Sequence, residues 1–459
     1  MRTNATCGLA LAAAAALCLA TIGCDGGDDT KDATVTDLAG DSADVPAEAA
    51  PDAAPEVPVE AFEETSVETI EEATGDVPPE LPPAEPSCYQ GLCAADPTHA
   101  PDPREMGPFP VGVSRQTFID PDNPNPDGSP RTLVTEFWYP TTEEWRGKPV
   151  YSYDPKSDGT DAMRAKYKDV DIGTFPCDAV WGAPVRVGEK KWPLVLFSHG
   201  AFGIRYQSTF FTVLLASHGY VVVAPDHQDN TLYEIMVDGW APETLVESAV
   251  RRPVDLLYLM DAMARKTEDP ADPFYQRVDT DTVASTGHSF GGLTSYAITG
   301  DPRIKAIVPM SPEASMVDLI APNFGSPAMA ELSIPTMMMG GVMDKTLDFT
   351  TSQWNPWNEQ KTPKWFLKVN RGGHYTFTDI CRMKLADLAP LWGDAEDAME
   401  DGCDPVNNWD FNEAHEAVAQ YAVSFLNRFI RGSEGSAEFM TAEAGARYGT
   451  EIEFFAEPL

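Results

Sequence analysis

Beyond residue 102 the chain alternates short apolar runs with amphipathic stretches, and the periods of the two identify the elements. Residues 110–120 alternate apolar and polar positions like a strand, and residues 131–140 read as its partner across a polar, Pro-rich loop. The run Trp192 to Phe197 is almost wholly apolar, as a strand covered on both faces must be. Residues 220–226, 304–310, 334–340 and 365–370 repeat that signature, and residues 281–286 read as a short buried strand ahead of a glycine-rich turn. Helical spacing appears in residues 208–218, where Phe210, Phe211, Leu214 and Leu215 share a side. A long helix is expected around residues 253–260, with Pro253 in its first turn. Residues 230–243 read as irregular, and another helix starts after Gly292. The last helix spans residues 413–431. Val418, Ala422, Phe425, Leu426, Phe429 and Ile430 form its apolar stripe, Asp410 with Glu413 caps its start, and Gly432 ends it. Strands alternating with helices predict an α/β fold with a mostly parallel central sheet, helices on both faces and a small cap insertion.

The first hundred residues follow other rules. Residues 1–24 carry Arg2, then an apolar run too short to span a membrane, then Leu19-Ala20-Thr21-Ile22-Gly23-Cys24. This suits an export signal, and its ending is similar to the cleavage box of bacterial lipoproteins, with Cys24 as the lipidated residue and Thr21 where leucine is usual. The expected location is a bacterial cell envelope, lipid-anchored, with secretion as the alternative. Residues 25–101 begin as a run of Asp, Glu, Ala, Pro, Thr and Val, too poor in apolar surface to offset the entropy of ordering, and read as an acidic tether. The domain is expected over residues 102–459. The net charge of -40 excludes nucleic acid as a partner, because phosphate binding needs clustered Lys and Arg.

In the exported chain, Cys88 with Cys93 and Cys381 with Cys403 are disulfide candidates, leaving Cys177 free or with an unidentified partner. The second pair would staple the cap carrying Trp392. No CxxC pair occurs, and there are only 7 histidines, which argues against zinc. Asn123, Asn125, Asp127 and Gly128 have a faintly calcium-like spacing, but Val134 stands where a bidentate Glu belongs, so a hairpin loop is expected.

Candidate chemistry lies at strand ends. Gly287-His288-Ser289-Phe290-Gly291 sits between a strand and a helix, the pattern of a nucleophile elbow. Ser289 is the candidate nucleophile, and the Phe290 amide at the helix start faces a developing oxyanion. His199-Gly200-Ala201-Phe202-Gly203 follows another strand and offers the Ala201 amide as second donor, His199 being structural. Asp344 and His374 each follow a later strand, giving the order nucleophile, acid, base. Glu313 is a reserve acid. His415 is a rival base read as a surface residue on its helix. Phe202, Phe290, Trp240 and Trp392 are expected to crowd the acyl position.

Pro193 to Gly200, Leu215 to Tyr220, Ala224 to His227 and Gly287 to Gly292 together resemble the plasma-type platelet-activating-factor acetylhydrolases and the related dienelactone-hydrolase-like and polyester-hydrolase-like enzymes. The resemblance covers about residues 107–431 and implies an α/β-hydrolase fold and a serine esterase with no cofactor. Two departures stand out. Dienelactone hydrolases use a cysteine nucleophile. The acetylhydrolases place their acid after the strand following the elbow, where this chain reads Met310-Ser311-Pro312-Glu313. The implied partner is a small-molecule, lipid or polyester ester. A reading of another class is a non-catalytic surface binding protein on the same scaffold.

Overall fold

The computed structural model describes residues 80–239, 244–383 and 401–458. The signal, the lipidation candidate Cys24, nearly all of the tether, Trp240 and Trp392 lie outside the described residues. Among those described, no helix is long and apolar enough to cross a membrane.

Ten strands form the main sheet: β1 (Val111–Asp120), β2 (Arg131–Pro140), β3 (Val180–Trp181), β4 (Trp192–Ser198), β5 (Val221–Pro225), β6 (Val278–His288), β7 (Ile304–Met310), β8 (Thr336–Gly341), β9 (Lys364–Val369) and β10 (Ile452–Glu457). Their spatial order is β10-β9-β8-β7-β6-β4-β5-β2-β1-β3. The central strands β5, β4, β6, β7, β8 and β9 run parallel. The β1–β2 hairpin joins one side antiparallel through β2, and β10 joins the other.

The apolar runs are explained by two cores, one on each face. Val195 and Phe197 of β4 enter one core, with Met337, Met339 and the apolar stripe of the last helix. Leu194 and Leu196 enter the other, with Met338, Leu256 and Leu293. The methionine run is therefore strand core, all three residues having no exposed surface. Helices α1 (Thr209–Ser217) and α5 (Phe411–Phe429) cover the first face. Helices α3 (Thr244–Glu268) and α4 (Phe290–Ala297) cover the second. Asp410 caps α5 by accepting from the amides of Asn412 and Glu413, and Gly432 follows with φ 73°.

Four expectations need correction. Residues 230–243 are not wholly irregular: Thr231 and Glu234 form a capping box that starts helix α2 (Leu232–Asp238). Pro253 is not in a first turn but inside α3, which begins nine residues earlier. The fold also begins before residue 102. Glu85 pairs with Gly188 and its carboxylate meets Arg186 at 2.8 Å, and Ala94 and Ala95 are buried. Polar handholds, not an apolar period, fix that segment, so the pattern carried no sign of it. Finally, His415 is not at the surface. It stacks on Phe210 at 3.6 Å, and its Nε2 meets the Thr378 carbonyl at 3.0 Å. Burial pulls its pKa down to about 3.

Cys88–Cys93 and Cys381–Cys403 are bonded, and Cys177 is free and buried, its thiol pushed up to about 12 by desolvation. In the loop between β1 and β2, Asn125 braces Ser129 and the Asp127 carboxylate accepts the Ser129 amide, as a hairpin turn requires.

Candidate active site

The elbow joins β6 to α4. Ser289 has φ 56° and ψ -119°, a conformation L-residues avoid. Its amide donates to the Met310 carbonyl at the end of β7, which ties the bend to the neighbouring strand. A Cβ on Gly287 would lie 2.6 Å from the Ser198 carbonyl oxygen, and one on Gly291 would lie 2.7 Å from that of His199. Helix α4 can approach the sheet this closely only because both positions are glycine. Phe202 and Ser311, after β4 and β7, also have positive φ, at 55° and 39°. Three strained residues thus cluster at neighbouring strand ends, which is where function tends to store strain.

Asp344 follows β8 and His374 follows β9. The His374 ring donates through Nδ1 to Asp344 Oδ2 at 2.8 Å. This fixes the tautomer and leaves Nε2 with its lone pair. Asp344 is heavily supported. Oδ1 accepts from the amides of Thr346 at 3.0 Å and Leu347 at 2.7 Å, and Oδ2 also accepts from Ser311 Oγ and Gln353 Nε2, both at 3.2 Å. Burial alone would lower the His374 pKa, but the Asp344 charge and hydrogen bond, with Asp401 and Glu313 nearby, outweigh it and raise it above 6.5. The His374 carbonyl accepts from His288 Nε2 at 2.9 Å, and the two rings lie 4.6 Å apart, so the His374 loop rests against the elbow. Glu313 makes no hydrogen bond to this pair among the described contacts: its carboxylate accepts from the hydroxyls of Ser315 and Ser352.

The loop after β4 meets the elbow from the other side. A Cβ on Gly200 would lie 3.5 Å from Ser289 Cβ. Among the described residues, the amides of Ala201 and Phe290 donate to no protein acceptor. Two free donors thus flank the serine. His199 is structural: its Nδ1 meets the Gly200 carbonyl at 2.7 Å, and its Nε2 accepts from the His227 amide at 3.1 Å.

Beneath that loop lies a second Ser-His-Asp chain. Ser198 Oγ meets His227 Nε2 at 2.9 Å, and His227 Nδ1 meets Asp255 Oδ2 at 2.8 Å. All three residues have 0% exposure, against 9% for Ser289, so no substrate reaches Ser198. Asp255 is also clasped by Arg131 through Nε at 2.6 Å and Nη2 at 2.7 Å. This chain is a buried brace.

Sequence patterns missed Ser311, Gln353 and Asp401. Gln353 sits on a single π-helical turn, Thr350–Trp354. Asp401 joins the two functional loops. Its Oδ2 accepts from the amides of Lys345 and Thr346, and its Oδ1 from that of His374 at 3.1 Å. Nothing local marks it out among acidic neighbours. Asp401→Asn turns an acceptor of main-chain amides into a side chain with two donors of its own, and it removes a charge that favours the imidazolium. We expect kcat to fall about tenfold or more with KM little changed. Steady-state kinetics that matched the parent would contradict this.

Residues 102–242 match the family Platelet-activating factor acetylhydrolase, isoform II, and residues 198–392 match the family PET hydrolase-like. Platelet-activating factor acetylhydrolase of Bos taurus is 27% identical over 244 residues, which are 44% of this chain and 53% of that protein. The Canis lupus familiaris protein of the same name is also 27% identical, over 37% of this chain and 44% of its own length. The chain therefore spans about half the length of these curated relatives or less. A ferulic acid esterase from Streptomyces cinnamoneus superposes with TM-score 0.55 and 22% identity, covering 76% of this chain and 96% of the esterase. The parallel sheet, the elbow at its centre and the superposition give the chain an α/β-hydrolase fold, and in sequence it is similar to acetylhydrolases and PET hydrolase-like proteins.

Proposed function

We propose that this chain is an exported, membrane-tethered serine hydrolase of carboxylic esters. The observation that carries the reading is the Asp344–His374 pair, whose loop is bonded to His288 beside a strained Ser289, with two unengaged amides at the elbow and the facing loop. Ser289 attacks the ester carbonyl as His374 Nε2 takes its proton. Asp344 keeps the ring in the productive tautomer and stabilises the imidazolium. The amides of Phe290 and Ala201 hold the tetrahedral oxyanion. The imidazolium then protonates the leaving alcohol. Water, deprotonated by His374, releases the acid and restores Ser289. The residues of this cycle need no cofactor or metal. The names of the relatives, two of them hydrolases and one an esterase, support the reaction class.

Short acyl chains, acetyl to butyryl, are the proposed substrates. Phe202 is 7% exposed beside the oxyanion loop, and bulk there shortens a pocket. Phe290 contributes less to that wall than its position suggested, because its ring lies 5.0 Å from the Arg252 guanidinium and packs on a core. We expect kcat/KM to fall from p-nitrophenyl butyrate to octanoate to palmitate, by about 1–3 kcal/mol per poorly accommodated methylene. A maximum at octanoate or longer would point to a lipase or phospholipase. Turnover of polyethylene terephthalate film above that of soluble esters would favour the polyester reading that the PET hydrolase-like match suggests.

Anchoring rests on the sequence of residues 1–24 and the acidic stretch after it. Cys24→Ser is expected to move the protein from the membrane fraction to the soluble one. Unchanged fractionation would sink the lipoprotein reading.

A further inference from the structure

Arg252 of α3 has 0% exposure, yet among the described residues no carboxylate is hydrogen-bonded to it. Its Nη1 donates to the His199 carbonyl at 2.6 Å. Its Nη2 donates to the Gly200 carbonyl at 2.9 Å and to Asn230 Oδ1 at 2.7 Å. The Phe290 ring lies over it at 5.0 Å. One cation therefore touches the loop on one side of Ser289 and the residue on the other. Its neighbours leave its charge largely uncancelled. Asp255, three residues along the same helix, is engaged by Arg131 and His227. His199 and His227 are neutral, because burial first and the nearby guanidinium charges second hold their pKa values well below 6.5.

The geometry of one peptide group gives the charge a use. The Gly200 carbonyl and the Ala201 N–H belong to the same planar amide and point in opposite directions. His199 Nε2 accepts from the His227 amide, so the ring proton is on Nδ1 and is donated to the Gly200 carbonyl. The Gly203 amide is a third donor to the same oxygen, at 3.1 Å. Three donors, one of them cationic, pull electron density toward that oxygen and leave the N–H more positive. Burying a guanidinium without an anion is costly. A loop needing shape alone could be held by neutral donors.

We propose that Arg252 is the positioning residue of the oxyanion hole, orienting the Gly200–Ala201 peptide and polarising its N–H toward the charge that develops on the substrate. This rests on the ester-hydrolase reading above. The donor it tunes is engaged more strongly in the transition state than in the bound ester, so its loss appears in kcat.

The test uses the full-length protein with p-nitrophenyl butyrate, and far-UV circular dichroism and Tm to establish folding. Arg252→Met removes the charge and keeps much of the volume. We expect kcat about 10- to 100-fold lower and KM within about twofold of the parent, a share of what deleting an oxyanion donor costs. Arg252→Lys, which keeps the charge and loses the fork, is expected to fall between the two. Asn230→Asp is the decisive partner should Arg252→Met fail to fold. It leaves the accepting oxygen in place and sets a carboxylate against the guanidinium, cancelling its field without altering the loop's shape. We expect a loss of kcat of about tenfold, with tighter binding of a boronic-acid inhibitor lost in step. A folded Asn230→Asp with parental kcat and boronate affinity would overturn the polarising role. A folded Arg252→Met with parental kcat would overturn the positioning role as well. A parent protein without turnover or reaction with a fluorophosphonate would instead bring down the esterase reading itself.

Discussion

Ser289→Ala, His374→Ala and Asp344→Asn are each expected to lower kcat by about three to six orders of magnitude while the protein stays folded. The expectation follows from the hydrogen-bond chain. Asp344 makes one 2.8 Å bond to His374 and is itself held by two amides and two side chains, so the ring has one tautomer and one orientation. Removing any member disables the same proton transfer, so the losses will not add: a double variant will be about as slow as the worse single one. The pH profile supplies an independent sign. His374 must be neutral to accept the proton, and its pKa is raised, so activity is lost as pH falls through a midpoint above 6.5. In Asp344→Asn the largest raising influence is gone while burial remains, so the midpoint of any residual activity moves to lower pH. Glu313→Gln is expected to be mild, since that carboxylate is occupied by Ser315 and Ser352. Nearly parental rates in Asp344→Asn with collapse in Glu313→Gln would reverse the assignment of the acid.

Gly291→Ala carries the next largest expected effect, on stability as well as on rate. The added methyl would be driven into the Ser198 carbonyl and would stand 2.7 Å from that of His199. Those atoms are main chain at the end of a buried central strand, so no side chain can move aside. Relief requires α4 to lift from the sheet, which strains a close-packed layer by about 3 kcal/mol. Lifting α4 also displaces the Phe290 amide from Ser289. We expect a fall in Tm of several degrees and a loss of kcat of about a hundredfold or more. Unchanged Tm and turnover would mean that the helix does not approach the strand this closely.

How much of this was legible in the sequence differs from element to element. Most buried strands were, because a strand covered on both faces tends to be a continuous apolar run; β6, with its Thr and Ser, was read from the turn that follows it. The predicted bounds for residues 304–310 coincide with β7 (Ile304–Met310). Ser289 was legible because the elbow needs its two glycines within a few residues. Asp344 and His374 were read as candidates from their places after strands; no pattern joins them, and the fold brings them within hydrogen-bond distance. The supports were hidden. Asp401, 27 residues beyond His374, acts on main-chain amides and so leaves no pairing in sequence. Arg252 carries no signal in the sequence, because only the fold brings it to the carbonyls of residues 199 and 200. His415 was misread because a histidine near a helix start looks solvated until the packing of Phe210 is known. Capping of α2 was missed because Thr231 and Glu234 stood in a stretch with little apolar period.

The most direct test of the central claim is the mass of the intact protein after brief exposure to a fluorophosphonate, followed by mapping of the modified peptide. The account predicts one adduct per chain, on Ser289, absent from Ser289→Ala and from protein unfolded before labelling. An unlabelled native protein, or an adduct on another serine such as Ser198, would contradict it.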